Sequence, residues 1–295
     1  MRLSFNLEYS GKCGSVLNFY ASAFRQAEFC ARTFRELETA EVLGINGSGL
    51  DMIWQSELKL PFGNNVLYLE MADSILAAVQ NRQDFDQPYF HPVIRISHDD
   101  KGEVRRLFER LYGESGGFDG LQSGERADMH GIRWQYQKGA PGIGYCLSFD
   151  GFCRDVAAFY ENVFDIRAEE MIRYGDLPQG NKLPAAGADM IFSAVLPFSY
   201  GGGISALRLM DSAESVADGI NRYDPSALLF YHGQYNPLFT VRDSDTAFLA
   251  GAFERLKNGA KLNRPLQPDD EGGMFGSLID RYGICWNFRS ASGME

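Results

Sequence analysis

Residues 16–24 read VLNFYASAF and residues 156–164 read VAAFYENVF, one Val-x-x-Phe-Tyr-x-x-x-Phe pattern written twice at an interval of 140. The apolar positions recur at helical spacing. Val16, Phe19, Tyr20, Ala23 and Phe24 fall on one face, as do Val156, Phe159, Tyr160, Val163 and Phe164. Any two buried amphipathic helices look alike, so the pair alone does not establish a duplication. The neighbouring residues do. Leu7, Gly11 and Cys13 match Leu147, Gly151 and Cys153 at the same interval. DMIWQSELKLPFGNNVLYLEMADS (Asp51–Ser74) matches DMIFSAVLPFSYGGGISALRLMDS (Asp189–Ser212) at 138. HPVIRISHDD from His91 matches NPLFTVRDSD from Asn236 at 145, and HGIRWQYQ from His130 matches YGICWNFR from Tyr282 at 152. A single order with slowly growing intervals is the mark of a duplicated domain carrying small insertions.

The Gly/Pro-rich KGAPGIGY, Lys138–Tyr145, is the connector, so domain 1 is expected over 1–140 and domain 2 over 141–295. A chain of 295 residues suits two domains, and 45% hydrophobic residues supply their interiors. No apolar run is long enough for a membrane helix, and MRLSFNLEYS alternates where a signal peptide would be apolar. Five cysteines without Cys-x-x-Cys spacing suit free thiols in a reducing compartment, and the expected location is the cytoplasm. A net charge of −11 without a Lys/Arg block argues against nucleic-acid partners.

Each copy reads as two rounds of strand, helix and further strands. The first copy has its opening strand and helix, strands around 28–38, 49–58 and 65–72, a strand at His91–Ser97, a helix at Gly102–Leu111 and a closing strand at Ile132–Gln137. The second repeats this at 145–149, 153–164, 188–196, 203–210, 236–242, 246–257 and 284–289. The fold class is α+β. YGGG at Tyr200 has as its counterpart FGNN at Phe62, and no helix follows either, so both are hairpin turns rather than phosphate-binding loops.

LSFDGFCRDVAAFYENVF resembles the opening of PhnB-like proteins, of the glyoxalase/bleomycin-resistance/dioxygenase group, the vicinal oxygen chelate superfamily. The closing stretch AFERLKNGAKLNRPLQPDDEGGMFGSLIDRYGICWNF, Ala252–Phe288, resembles that family's Pro-Leu, Phe-Gly-x-Leu-x-Asp and Gly-x-x-Trp ending. Domain 1 keeps a Gly-Ile-x-Trp end but has LQSGERADMH in place of the Phe-Gly-x-Leu-x-Asp segment. The resemblance implies a tandem duplication of glyoxalase-like domains built from paired βαβββ modules, with helices on the convex face of cupped mixed sheets. It also implies four metal-ligand positions per cup, usually His and Glu. They fall on Ser4, Tyr68, His91 and Gln135 in domain 1, and on Gly144, Ala206, Asn236 and Asn287 in domain 2. One histidine does not make a zinc or non-haem iron site, so neither a metal nor another cofactor is expected. Glu8 or Glu70 leaning in beside His91 would be the one rescue.

Strand alternation says what fills the cup instead. Domain 1 would present Glu8, Tyr68, Glu70, His91, Arg95, Arg133 and Gln135, with His91 and Glu70 as an acid–base pair. Domain 2 would present Asn236 and Asn287 but neither histidine nor carboxylate. The expected function is small-molecule binding in the domain 1 cup, with catalysis left open. The alternatives are a metal-dependent lyase or dioxygenase and a non-catalytic interaction module. The expected partners are a small-molecule ligand, with no nucleic acid and no membrane. The chain would be a monomer with its two domains paired internally, or a homodimer. No glycine-rich S-adenosylmethionine loop is present, which argues against a methyltransferase.

Overall fold

The computed structural model describes residues 1–80, 92–113, 125–221, 237–269 and 272–290. It divides into two compact units, Ser4–Tyr145 and Cys146–Glu295, the latter joined by Met1–Leu3. The first copy runs β1 (Arg2–Tyr9), α1 (Cys13–Ala23), β2 (Glu28–Thr33), β3 (Ile53–Phe62), β4 (Asn65–Asp73), α2 (Ile75–Gln80), β5 (Val93–Ser97), α3 (Lys101–Tyr112), β6 (Glu125–Ala127) and β7 (Arg133–Gln137). The second runs β8 (Gly142–Phe149), α4 (Cys153–Phe164), β9 (Glu170–Arg173), β10 (Ile191–Tyr200), β11 (Gly203–Asp211), α5 (Ala213–Asp218), β12 (Leu238–Asp243), α6 (Thr246–Leu256), β13 (Lys261–Pro268), β14 (Met274–Ile279) and β15 (Cys285–Ser290). The fold is mixed α+β, a tandem arrangement of one pattern.

The strand pairings repeat as well. β1 pairs parallel with β4, which continues antiparallel into β3 and then β2. In the second copy β11, β10 and β9 follow the same antiparallel order. β5 pairs parallel with β7, as β12 does with β15. The two hairpins are as expected: Phe62 faces Asn65 and Tyr200 faces Gly203. Gly201 and Gly202 both take positive φ, the conformation that a tight two-residue β-turn requires. Strand β2 is shorter than expected. It stops at Thr33, where Glu36 Oε1 accepts the Thr33 amide at 2.9 Å and its hydroxyl at 3.1 Å, turning the chain into a helical turn at Phe34–Glu36. The strand expected from 49 begins at Ile53 for a similar reason, since Gly47–Asp51 forms another such turn.

The duplicated helices bury the face that their spacing marked out. Val16, Tyr20 and Ala23 are buried on α1, and Val156, Tyr160, Val163 and Phe164 on α4. Each large apolar side chain so buried contributes on the order of 2 kcal/mol. Neither helix has a side-chain cap from its own preceding residue. The cap comes from the end of the fourth strand. Asp73 accepts the amides of Cys13 and Ile53, each at 3.0 Å, and Asp211 accepts those of Cys153 at 2.9 Å and Ile191 at 2.8 Å. Burial, with the adjacent aspartate, pushes the Cys13 and Cys153 thiols far up, so these helix-start cysteines pack rather than react.

The turn into each helix passes through Gly11 (φ 81°) and Gly151 (φ 87°). A Cβ on Gly151 would lie 2.7 Å from the Ile220 carbonyl oxygen. Gly151→Ala is therefore expected to destabilise its unit by about 1–3 kcal/mol. Urea denaturation measures this, and an unchanged midpoint would refute it.

A second duplicated device closes each copy. Asp280 accepts the Tyr160 hydroxyl at 2.6 Å, Trp286 Nε1–H at 2.8 Å, and the amides of Tyr282 at 2.8 Å and Ile284 at 3.0 Å. Asp128 accepts the Tyr20 hydroxyl at 2.7 Å, Trp134 Nε1–H at 2.8 Å, and the amides of His130 at 2.9 Å and Ile132 at 3.1 Å. Domain 1 thus keeps the aspartate of the closing motif although it has lost the Phe-Gly before it. His130 and Tyr282 pack on the helix aromatics, His130 4.6 Å from Phe19 and Tyr282 5.5 Å from Phe159, a structural role in both copies.

Candidate functional site

The first-copy candidates fall on two groups of strands. Among the described residues of this unit, β1–β4–β3–β2 and β5–β7–β6 share no directly paired strand. The single lining expected from alternation is therefore two polar surfaces.

On the first, Leu3, Phe5, Leu7 and Tyr9 point into the core, and the alternate residues take the other face. Ser4 stands opposite Tyr68 and Asn6 opposite Glu70. Ser4 Oγ donates to Glu70 Oε1 at 2.7 Å. Tyr68 is buried. Glu8 is exposed by surface area, yet crowded enough that desolvation raises its carboxyl pKa; that exposure keeps the effect small. Sequence reasoning left strand β3 out of the lining. Glu57 stands opposite Glu70 and Lys59 opposite Tyr68. Lys59 Nζ pairs with Glu28 Oε2 at 3.1 Å. The signal was present, because Ser56, Leu58 and Leu60 are buried and Gln55, Glu57 and Lys59 alternate with them.

On the second surface, Arg95 stands opposite Gln135 while Ile94 and Trp134 face the core. Arg95 is 6% exposed. Its Nε and Nη2 donate to Gln135 Oε1 at 3.2 and 3.0 Å, and Nη1 donates to Gln137 Oε1 at 2.9 Å. Gln135 Nε2 donates on to Glu125 Oε2 at 3.3 Å, and Arg133 Nη1 meets Glu125 Oε1 at 2.7 Å. Arg95, Arg133 and Gln135 thus come together, joined by Gln137 and Glu125, which sequence reasoning left out. Two glutamine carbonyls hold the Arg95 guanidinium in place, with its Nε/Nη2 edge on Gln135 and Nη1 on Gln137.

Asn287 is half-buried on β15, opposite Thr240 on β12 and Ser277 on β14. His91 and Asn236 lie outside the described residues.

The structure resembles that of glyoxalase I from Zea mays, with a TM-score of 0.56 over 98% of this chain and 92% of that one, at 14% identity. At that identity the likeness is one of fold: the chain has a glyoxalase I-like fold. A protein from Pseudomonas aeruginosa is 26% identical over 49% of this chain and 93% of its own, with a TM-score of 0.37. A PhnB protein from Bacillus cereus is 20% identical over 50% and 96%, with a TM-score of 0.33. The fold assignment rests on the Zea mays enzyme. No family model matches the chain, and no curated protein matches it in sequence.

The vicinal oxygen chelate resemblance implies metal ligands at four strand positions per cup. The described ones in this chain are Ser4, Tyr68 and Gln135 in the first copy, and Gly144, Ala206 and Asn287 in the second. None carries a carboxylate, imidazole or thiolate, and Gln135 Oε1 is committed to Arg95. Among the described residues no group of three His, Cys, Asp or Glu could hold a metal ion. This donor set does not fit the superfamily's usual metal. No helix among them is long and apolar enough to cross a membrane.

Proposed function

We propose that the chain is a PhnB-like, small-molecule-binding protein of the vicinal oxygen chelate superfamily that works without the superfamily's usual metal site. Its ligand surface lies in the first domain, 1–140, with the second domain, 141–295, as a binding or structural partner. The observation that carries this reading is the replacement of ligand positions by hydrogen-bonded polar groups on two surfaces: Ser4 on Glu70 on one, and Gln135 on Arg95 on the other. A fixed guanidinium and a carboxylate held by a hydroxyl are groups that bind and orient a polar organic molecule. Glu70, with His91 as its acid–base partner, would move protons. Glu8, Tyr68, Arg133, Asn236 and Asn287 would add contacts. The PhnB-like assignment is supported by the closing stretch Phe275–Asp280 and Gly283–Trp286. All five cysteines are free, which supports a cytoplasmic location. The chain would act as a monomer with internal domain pairing or as a homodimer, without nucleic-acid or membrane partners.

Metal analysis of protein purified without added metal or a histidine tag tests the first half. The expected content of Zn, Ni, Fe and Mn is far below one per chain. Near-stoichiometric metal, with activity lost to a chelator, would establish the metal-dependent alternative. A thermal-shift screen of small organic acids, alcohols and amines tests the second half. A ligand-dependent rise in Tm is expected, abolished by Glu70→Gln or Arg95→Gln. A screen with no such ligand would favour the interaction-module alternative.

A further inference from the structure

A cavity of about 370 Å³ lies in the Ser4–Tyr145 unit, where the end of α1 meets the β3–β4 turn and the start of α3. None of the proposed ligand-binding residues lines it. Its floor is apolar, formed by Phe24, Pro61, Phe62 and Leu107. Arg25 and Arg110 line it too, and neither has an ion-pair or hydrogen-bond partner among the described residues. His98 also lines it, its ring 5.8 Å from that of Phe62. His98 Nδ1 accepts the Asp100 amide at 2.9 Å, which leaves Nε2–H as the donor.

The charges at this corner do not cancel. Glu103 is the acidic residue in the lining, and Arg106 pairs with it at 3.3 Å. The end of α1 brings about half a negative charge. Arg25 and Arg110 outweigh it, with Glu103 held by Arg106, so a net positive charge remains over an apolar floor.

The second copy shows the same corner with the opposite sign. By the repeat intervals, Arg25 corresponds to Asp165, His98 to Asp243 and Arg110 to Arg255. Asp243 Oδ2 holds the Met1 amino group at 2.9 Å. Arg255 Nε and Nη2 donate to the Val163 carbonyl at 3.0 and 2.8 Å. Asp243 and Arg255 are therefore both engaged inside that unit. In the first copy the two acidic positions are Arg25 and His98, and Arg110 makes no such bond to a helix end.

We propose that this corner of the first copy is a second binding site, for a small organic carboxylate. Its apolar body would lie on Phe24, Phe62 and Leu107, and its carboxylate between Arg25 and Arg110 with the His98 Nε2–H as a further donor. The site is independent of the ligand surface proposed above.

Benzoate is a suitable probe, with benzyl alcohol as its uncharged counterpart. Titration of the full-length protein followed by amide NMR should give saturable shifts clustered around residues 24–26, 61–63 and 98–110. Arg25→Gln and Arg110→Gln should each weaken benzoate at least tenfold, with Tm little changed because both side chains are exposed. Benzyl alcohol should bind at least tenfold more weakly than benzoate. Glu70→Gln should leave these shifts in place, which separates this site from the other. No saturable binding at tens of millimolar benzoate would overturn the proposal. So would benzoate binding that survives both arginine substitutions, or equal binding of benzyl alcohol.

Discussion

Asp280→Asn is expected to destabilise the unit containing Cys146–Glu295 by about 3 kcal/mol or more. Asp280 is fully buried and takes four donors on two oxygens. An amide has one acceptor oxygen. If that oxygen keeps the two backbone amides, the new NH₂ faces Trp286 Nε1–H, a donor against a donor at a position closed to solvent. If the amide flips, the backbone amides lose their acceptor instead. Either way at least one N–H is left unsatisfied, at roughly 1–3 kcal/mol, and the Tyr160 hydroxyl must turn to find a new acceptor. Tyr160→Phe removes one hydroxyl and leaves the carboxylate three donors, so its effect should be about 1–1.5 kcal/mol. Asp128→Asn should act similarly in the other unit, where the same four donor types converge. Urea unfolding followed by Trp286 fluorescence reads the effect, with Trp134 as the reporter for the other unit. A shift under about 0.5 kcal/mol for Asp280→Asn would show that the hub contributes little.

The duplication was legible because repetition is a property of order and interval, which a single sequence carries. Helix faces and strand alternation were legible for a similar reason: burial follows periods of 3.6 and 2. What escaped is what depends on residues far apart. The caps of α1 and α4 come from Asp73 and Asp211, 60 and 58 positions downstream, so no N-cap signal stands before either helix. The hub aspartates were hidden in another way. Asp128 sits in LQSGERADMH, read as having lost the closing motif, because the Phe-Gly was missing. The structure shows that the aspartate and tryptophan form the retained unit, while Gly276 answers a local need: a Cβ there would meet the Leu266 backbone at 2.7 Å. For the candidate site, alternation set Ser4, Glu70, Arg95 and Gln135 on the strand faces opposite the core residues. It could not say that Arg95 and Gln135 bond to each other, nor that Glu57 faces Glu70, because register between strands is fixed by pairing rather than by either strand alone.

Unfolding free energy is expected to fall as pH rises from about 4 toward neutrality. Asp73, Asp128, Asp211 and Asp280 all have carboxyl pKa values raised above 3.8, each chiefly because burial penalises the charged form. Hydrogen bonds from backbone amides oppose this, and from the hydroxyl and indole at the two hubs, but burial wins. A raised folded pKa means that the folded chain holds its proton more tightly than the unfolded chain. That stabilisation is complete below the unfolded value of about 4 and is lost as pH climbs through the folded values. Each tenfold gain in proton affinity on folding is worth about 1.4 kcal/mol. Glu36, Asp176 and Asp243 have lowered pKa values and act in the opposite direction. Glu36 and Asp176 sit at the solvent-exposed surface, where screening leaves them little weight, and Asp243, held by the Met1 amino group, offsets part of the slope. The net charge of −11 at pH 7 adds self-repulsion that grows with pH, in the same direction as the buried aspartates. Urea midpoints at pH 4, 5, 6 and 7 measure the slope. Asp280→Asn should lower the curve throughout and flatten it, since the amide cannot titrate. A stability that instead climbs steadily from pH 4 to pH 7 would mean that the hydrogen bonds to these carboxylates outweigh their burial.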